Sequence, residues 1–327
     1  MDWTSIFVNA IEAGIGRDAA VFALAAIGLN IHFGYTGLLN FGQVGFMAVA
    51  AYGVAISVNY YGTSMWVGLL VGIGATIVLA MLLGFPTLRL RADYLAIVTI
   101  AAAEIIRLTA RAAVLRDYTG GSSGLTQFAR DFYNINPLGN GEYGIWRVQF
   151  SERQMWLLLV AWSLVMLSVL LVYLSMKSPW GRVLKAIRED EDAARALGKN
   201  VYSYKMQSLV FGGLIGALAG FVYAISVQSV QPDTYSSPVT FFAYAVLILG
   251  GTARVFGPVV GSIIFWFLLS FLEGVLRQQD FIPDSVMNGN QVGQVRFMLV
   301  GLALILLMIY RPQGMFGDKR EIELDAR

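Results

Sequence analysis

Runs of roughly 18 or more predominantly apolar residues recur along this chain, and they leave few folds open to it. Hydrocarbon offers a backbone no hydrogen bonds, so a crossing segment must be a helix or a strand of a closed barrel. Continuous apolar runs without period-two alternation select helices. Of the 327 residues, 57% are hydrophobic and 13% charged, whereas a soluble domain carries about 25% charge. The chain reads as all-α, one polytopic transmembrane bundle over residues 1–327. Nine spans are predicted near 18–36, 41–59, 65–86, 92–112, 154–176, 205–229, 237–252, 258–277 and 293–310. The seventh is short enough to be a half-helix or strongly tilted.

Lysine and arginine orient the bundle. The 177–205 loop is richest in them, which places it in the cytoplasm. Span parity then puts Arg89, Arg91, Arg254, Arg311, Lys319 and Arg320 on the same side. The other side receives the 113–153 and 278–292 loops and the N-terminus. The first seventeen residues lack the basic start and cleavage site of a signal peptide. There, Trp3, Ile6, Phe7 and Ile11 are spaced to share one face of a short interfacial helix. The 113–153 segment holds TGGSSG (119–124), Asn136-Pro137, Gly139, Gly141 and Gly144, which is turn chemistry. It is either an extracytoplasmic loop with no task or a docking surface for a soluble partner.

The polar loop KSPWGRVLKAIREDEDAARALGKNVYSYK (177–205) is the most informative segment. Ser178 followed by Pro179 predicts a capped helix to about Glu189. Asp190 can cap a second helix with Glu191 and Asp192 in its positive first turn, and Gly198 is placed to end it in a left-handed conformation. Such a charged helical pair suits contact with another protein on the inner side. A solvated loop obeying the positive-inside rule is the plainer alternative.

Two glycine-rich breaks stand at similar places in the two halves, FGYTGLLNFGQVGF (33–46) and ILGGTARVFGPVVG (248–261). Interrupted segments in corresponding positions point to a translocation site or hinge; glycine also serves tight turns and close packing. Asn30, Thr36, Asn40 and Gln43 crowd the first break, and Gln207 adds a polar group to the sixth span. As pathway lining these suit a small polar or zwitterionic solute; as interhelical bonds they need no solute. Glu104 and Arg107, at i and i+3 on the fourth span, can pair along one helix face. The pair is either functional or a structural pair near the outer interface.

Absent chemistry narrows the function. There is no cysteine, which excludes disulfides and thiolate sites. His32 is the single histidine and suits a bond to a neighbouring helix, not a metal site. Gly198-Lys199-Asn200 lacks the spacing and hydroxyl of a Walker A loop. No HExxH, GxSxG or converging nucleophile and base occurs, and no basic block suggests nucleic acid. Glu104 stands nearly alone among deep carboxylates, so a proton- or ion-coupled carrier lacks its usual groups. Uphill transport by such a chain needs work from another subunit, which points to a permease driven by an ATPase.

The stretches at 28–46, 88–108, 119–124, 178–205, 209–224, 246–261 and RPQGMFG (311–317) resemble, in order, the membrane permeases of the branched-chain amino acid ABC importers, the LivM type. The resemblance implies a bacterial inner-membrane subunit without its own cofactor or metal, set in the lipid bilayer. It further implies a second homologous permease, two cytoplasmic ATPase subunits holding ATP and Mg, and an extracytoplasmic substrate-binding protein. Carried over by position, Arg188, Glu189, Asp190, Glu191, Asp192, Ala193, Ala194, Arg195, Ala196, Leu197 and Gly198 would form the coupling helix seated in an ATPase groove. The first break would contribute to the pathway between the two permeases. The family also contains importers of urea and short amides, and this chain has Asn40 and Gln43 where many relatives carry Ser and His. A urea or amide permease, an ion-coupled carrier and a scaffold subunit without a pathway are the competing assignments. Replacing Asp190 to Asp192 with alanine is expected to lower ATPase association or substrate-stimulated ATP hydrolysis while membrane insertion stays normal; unchanged coupling would remove the coupling assignment.

Overall fold

The computed structural model of the protein describes residues 3–89, 92–139, 141–277, 289–311 and 314–316. Arg91, Lys319, Arg320 and residues 278–288 of the second outer loop lie outside the described residues.

The helices, in chain order, begin with α1 (Trp3–Ile15) and α2 (Arg17–Leu29), the latter continued by a π-helical turn, Asn30–Tyr35. Then come α3 (Gln43–Asn59), α4 (Met65–Thr87), α5 (Ala92–Arg111), and the short α6 (Arg116–Thr119) and α7 (Arg130–Asn134). The second half holds α8 (Glu152–Lys177), α9 (Pro179–Glu189), α10 (Glu191–Ala196) and α11 (Val201–Val227). It closes with α12 (Ser237–Gly250), α13 (Gly257–Arg277) and α14 (Gly289–Tyr310). Every predicted span falls on one of these helices. By length and composition α4, α8, α11 and α13 can cross a membrane, and α3 and α12 are shorter apolar helices.

The bundle is built around α2. Its residues from Ala19 to Leu29 are all buried, and a helix apolar on every side belongs at the centre of a bundle. It packs against α8, α11, α12 and α13, while α3, α4 and α5 form a second layer that α11 joins to the first. Close approach depends on Gly212, Gly216 and Gly220, one turn apart on α11. A methyl at Gly212 would meet His32 Nε2 at 2.3 Å and the Gly28 carbonyl at 2.6 Å; one at Gly220 would meet the Met47 carbonyl at 2.2 Å. Without a hydrophobic drive between helices in lipid, such small-residue seams supply the van der Waals contact that holds them.

Helix α1 forms as expected, and its four apolar residues differ in burial. Ile6 is buried, whereas Trp3, Phe7 and Ile11 remain exposed. The cause is α13, which α1 packs along: Gly274 meets Ile6, Phe271 meets Phe7 with ring centroids 5.3 Å apart, and Gly14 sits against Ile263 and Phe267.

The 113–153 segment is more ordered than its turn chemistry suggests. It carries α6, α7, a strand β1 (Leu125–Thr126) and a hairpin of β2 (Glu142–Ile145) and β3 (Val148–Ser151). β1 pairs antiparallel with β4 (Ser229–Val230), just past α11. Within TGGSSG, Thr119 donates to the Ala110 carbonyl at 2.7 Å, and Gly120, Gly121 and Gly124 all take positive φ. Ser151 and Gln154 close a capping box that starts α8.

Gly220→Ala is expected to destabilise the bundle by about 1–3 kcal/mol, the usual cost of overpacking. Gly74, with nothing within 4 Å of its added methyl, is the control: Gly74→Ala should leave the thermal unfolding temperature in detergent unchanged while Gly220→Ala lowers it.

Candidate functional site

At one end of the bundle the 177–205 loop folds into the predicted helical pair. The Ser178 hydroxyl caps α9 by accepting from Trp180 N at 3.2 Å, with Pro179 in the first turn. Asp190 caps α10 by accepting from the N–H groups of Asp192 and Ala193 at 2.9 and 3.0 Å. Gly198 ends the pair at φ +75°. Leu184 and Ile187 of α9 and Ala194 of α10 are buried beneath it. The acids have separate tasks. Glu191 pairs with Arg195 and with Lys205, which is 12% exposed. Asp192 pairs with Arg195 at 3.0 Å and is otherwise open. Glu189 is exposed and makes no ion pair among the described residues. Around them Ala193, Ala196, Leu197 and Gly198 face outward, and Leu197 is 79% exposed. Arg89 lies at the same end, its guanidinium 5.5 Å from the Tyr202 ring, as span parity requires.

This pair is attached to the first break. Arg188 at the end of α9 donates to the Gly34 carbonyl at 2.6 Å, within the π-helical turn. The Arg188 side chain also packs over Gly37, whose φ is +73°. The Lys185 ammonium sits 5.8 Å from the centroid of the Tyr35 ring, within range of a cation–π attraction.

Asn30, Thr36, Asn40 and Gln43 are buried, and the structure ties them into one region. Asn40 donates to His32 Nδ1 at 3.0 Å and to Gln43 Oε1 at 3.2 Å. With Nδ1 accepting, His32 carries its proton on Nε2 and donates it to the Leu209 carbonyl at 3.1 Å. Gln43 in turn donates to the Gly212 carbonyl at 3.3 Å. Thr36 bonds the Ile31 carbonyl and Ser208 Oγ. Asn30 reaches the second glycine break: its Oδ1 accepts from Ala253 N and its Nδ2 donates to the Arg254 carbonyl, both at 2.8 Å. The two breaks therefore touch, through a side chain flanking one and the backbone of the other. Gln207 stands apart. It is exposed and accepts from Trp180 Nε1 at 2.8 Å.

Several freed backbone groups of residues 37–44 find side-chain partners. Gly42 N bonds Asn40 Oδ1, Phe41 N bonds Thr99 Oγ1, and Val44 N bonds Thr240 Oγ1. The Asn40 carbonyl accepts from the Tyr244 hydroxyl at 3.0 Å. Sequence reasoning did not find Thr99, Thr240 or Tyr244, because they reach the break from α5 and α12, far away in the chain.

At the opposite end Glu104 and Arg107 pair at 2.6 Å, and Arg107 also reaches Asp233 at 2.8 Å. Asp233 accepts from Arg111 as well, at 3.3 Å. Asp233 lies in a 3-10 turn, Pro232–Tyr235, between α11 and α12, so its distance in sequence hid it. The network bonds α5 to that turn. Among the described residues no group of His, Cys, Asp and Glu could hold a metal ion.

A predominantly α-helical bundle with apolar, membrane-length helices and a charged helical pair at one end fits a multi-pass membrane protein. The chain belongs to the family described as the branched-chain amino acid transport system permease component, which matches residues 13–310. It is 32% identical over 317 residues to the high-affinity branched-chain amino acid transport system permease protein LivM of Salmonella typhimurium, covering 94% of this chain and 70% of that protein. It is 27% identical over 345 residues to the probable LivM of Methanocaldococcus jannaschii, covering 91% of each. A nucleoside ABC transporter permease protein, NupC of Lactococcus lactis subsp. cremoris, is 23% identical over 289 residues, covering 85% of this chain and 86% of that one.

Asn30→Ala would leave the buried Ala253 N–H without its Asn30 acceptor and remove one bond to the Arg254 carbonyl. Orphaned buried groups cost about 1–3 kcal/mol each, so the variant should unfold at clearly lower temperature. Gln207→Ala, which breaks only exposed bonds, should not; equal melting of the two would show that the contact between the breaks holds nothing.

Proposed function

We propose that this chain is the transmembrane permease subunit of an ATP-driven importer, and that its cargo is a branched-chain or related amino acid. It crosses the bacterial inner membrane nine times and forms the pathway with a second, homologous permease. Two ATPase subunits, which hold ATP and Mg, dock on its cytoplasmic loop, and an extracytoplasmic substrate-binding protein delivers the solute. The family membership and the likeness to LivM proteins support the class and the cargo.

The observation that carries the coupling role is the bond from Arg188 to the Gly34 carbonyl. In this reading Arg188 to Gly198 is the coupling helix. Its outward face, with Glu189, Ala193, Ala196 and Leu197, enters the ATPase groove, and its inward face holds the first break. A push on α10 then reaches α2 without passing through a flexible loop. Asn30, Thr36, Asn40 and Gln43 hold the break together beside the pathway, because each is buried and bonded within the chain. Gln207, the exposed member of the set, can meet a solute without breaking the core. Glu104 and Arg107 are a structural pair that fixes α5 against the Asp233 turn.

The cap geometry changes the best test of coupling. Asp190→Ala removes an N-cap, a loss of about 1 kcal/mol, and Glu191→Ala strands Lys205, so the triple-alanine variant mixes folding with docking. Leu197→Glu alters only the exposed face and should abolish co-purification of the ATPases. Arg188→Ala should keep the ATPases bound but lower transport per ATP hydrolysed. In the complete assembly with its binding protein, hydrolysis should rise with leucine, isoleucine or valine. Stimulation by urea alone would replace the cargo, and normal coupling in Arg188→Ala would remove the mechanical role.

A further inference from the structure

At the end of the bundle away from the coupling loop, a cavity of about 620 Å³ opens between α1, the starts of α2 and α8, and the end of α11. Glu12, Arg17, Asp18 and Arg153 face it. Arg17 and Asp18 pair loosely, at 3.6 Å. Glu12 and Arg153 make no ion pair among the described residues; Arg153 lies only against the Tyr133 ring, 6.0 Å from its centroid. Trp266, also on this wall, has a buried Nε1 with no partner. Two charges of opposite sign thus stand uncommitted at one cavity.

Phe150 and Leu158 line this cavity and also a second, apolar groove of about 910 Å³. The groove lies between α1, the β2–β3 hairpin and α8, and follows α8 from Met155 to Met166. At 1.5 Å per residue that is roughly 16 Å of helix, close to the reach of an extended fatty acyl chain. Trp146 and Trp162 stand on its walls.

A site charged in both signs at one end and apolar along the other matches one chemistry, an amphiphile with a zwitterionic head. We propose that this groove binds a zwitterionic phospholipid, with its phosphate on Arg153, its ammonium toward Glu12 and one acyl chain along α8. An anionic lipid would meet Arg153 equally well but leave Glu12 facing its negative charge. A free amino acid shares the zwitterion but has no chain to occupy the groove. The site is separate from the first break and from the coupling helix, and the proposal holds whatever solute the protein carries.

The test is native mass spectrometry of the full chain in detergent, with dioleoyl phosphatidylethanolamine, dioleoyl phosphatidylglycerol, phosphoethanolamine and leucine as probes. Phosphatidylethanolamine should remain bound in preference to phosphatidylglycerol. Arg153 is exposed at the start of α8, so Arg153→Gln should elute as a normal monodisperse protein. It should lower phosphatidylethanolamine retention about tenfold, the loss of one charge-assisted contact, and Arg153→Lys should restore much of it. Glu12→Gln is the second variant and should erase the preference over phosphatidylglycerol. Equal binding of the two lipids to the wild-type chain, or unchanged retention in both Gln variants, would overturn the proposal. Displacement of the lipid by phosphoethanolamine or leucine at millimolar concentration would also overturn it, by assigning the charged end to a soluble zwitterion.

Discussion

A helix that breaks inside a bilayer exposes peptide groups that lipid cannot bond. The break that follows α2 meets this constraint at several of its peptide groups. Its carbonyls at Ile31, Gly34 and Asn40 and its N–H groups at Phe41, Gly42 and Val44 each find a partner. The partners come from α5, α9 and α12 and from side chains of the break itself. Satisfying the break therefore draws distant elements to one place, and it sits at the end of the most buried helix in the molecule.

The same requirement explains why the surface loop and the core are mechanically joined. A guanidinium bonded to a backbone carbonyl is a charge-assisted contact, stronger than a neutral one. Arg188 makes it from the last turn of a helix whose own start is fixed by Ser178 and Pro179. On the far side of the break, Asn30 fixes the turn before α13. The bonds of Arg188 and Asn30 thus link α9 to elements of both halves of the chain. The glycine seam on α11 lies against the same region, since Gly212 and Gly216 touch the His32 and Gln43 side chains that knit the break.

Local signals were the most readable part of the sequence. The caps at Ser178 and Asp190 and the left-handed Gly198 are short-range chemistry, and the structure has each where the residues place it. The helices coincide with the apolar runs because length and apolarity are one-dimensional properties. What the sequence could not show was partnership at a distance. Asn30 bonding residues 253 and 254, or Asp233 joining Glu104 and Arg107, depends on which helices become neighbours. Spacing likewise could not show that α13 covers Ile6 while Trp3, Phe7 and Ile11 stay exposed. Asn40 and Gln43 bond each other, a pairing that no single position reveals.

The central claim is that α9 and the first break move as one body. The chain has no cysteine, so spin labels can be placed at Ala186→Cys on the exposed side of α9 and at Leu39→Cys in the break, within the assembled transporter. The measurement is their separation by pulsed electron resonance with ATP trapped and with nucleotide absent. The account predicts one distance distribution in both states, while a second pair, Ala186→Cys with an exposed position on α4 such as Met81→Cys, changes. Separation of the Ala186 and Leu39 labels on ATP binding would contradict it.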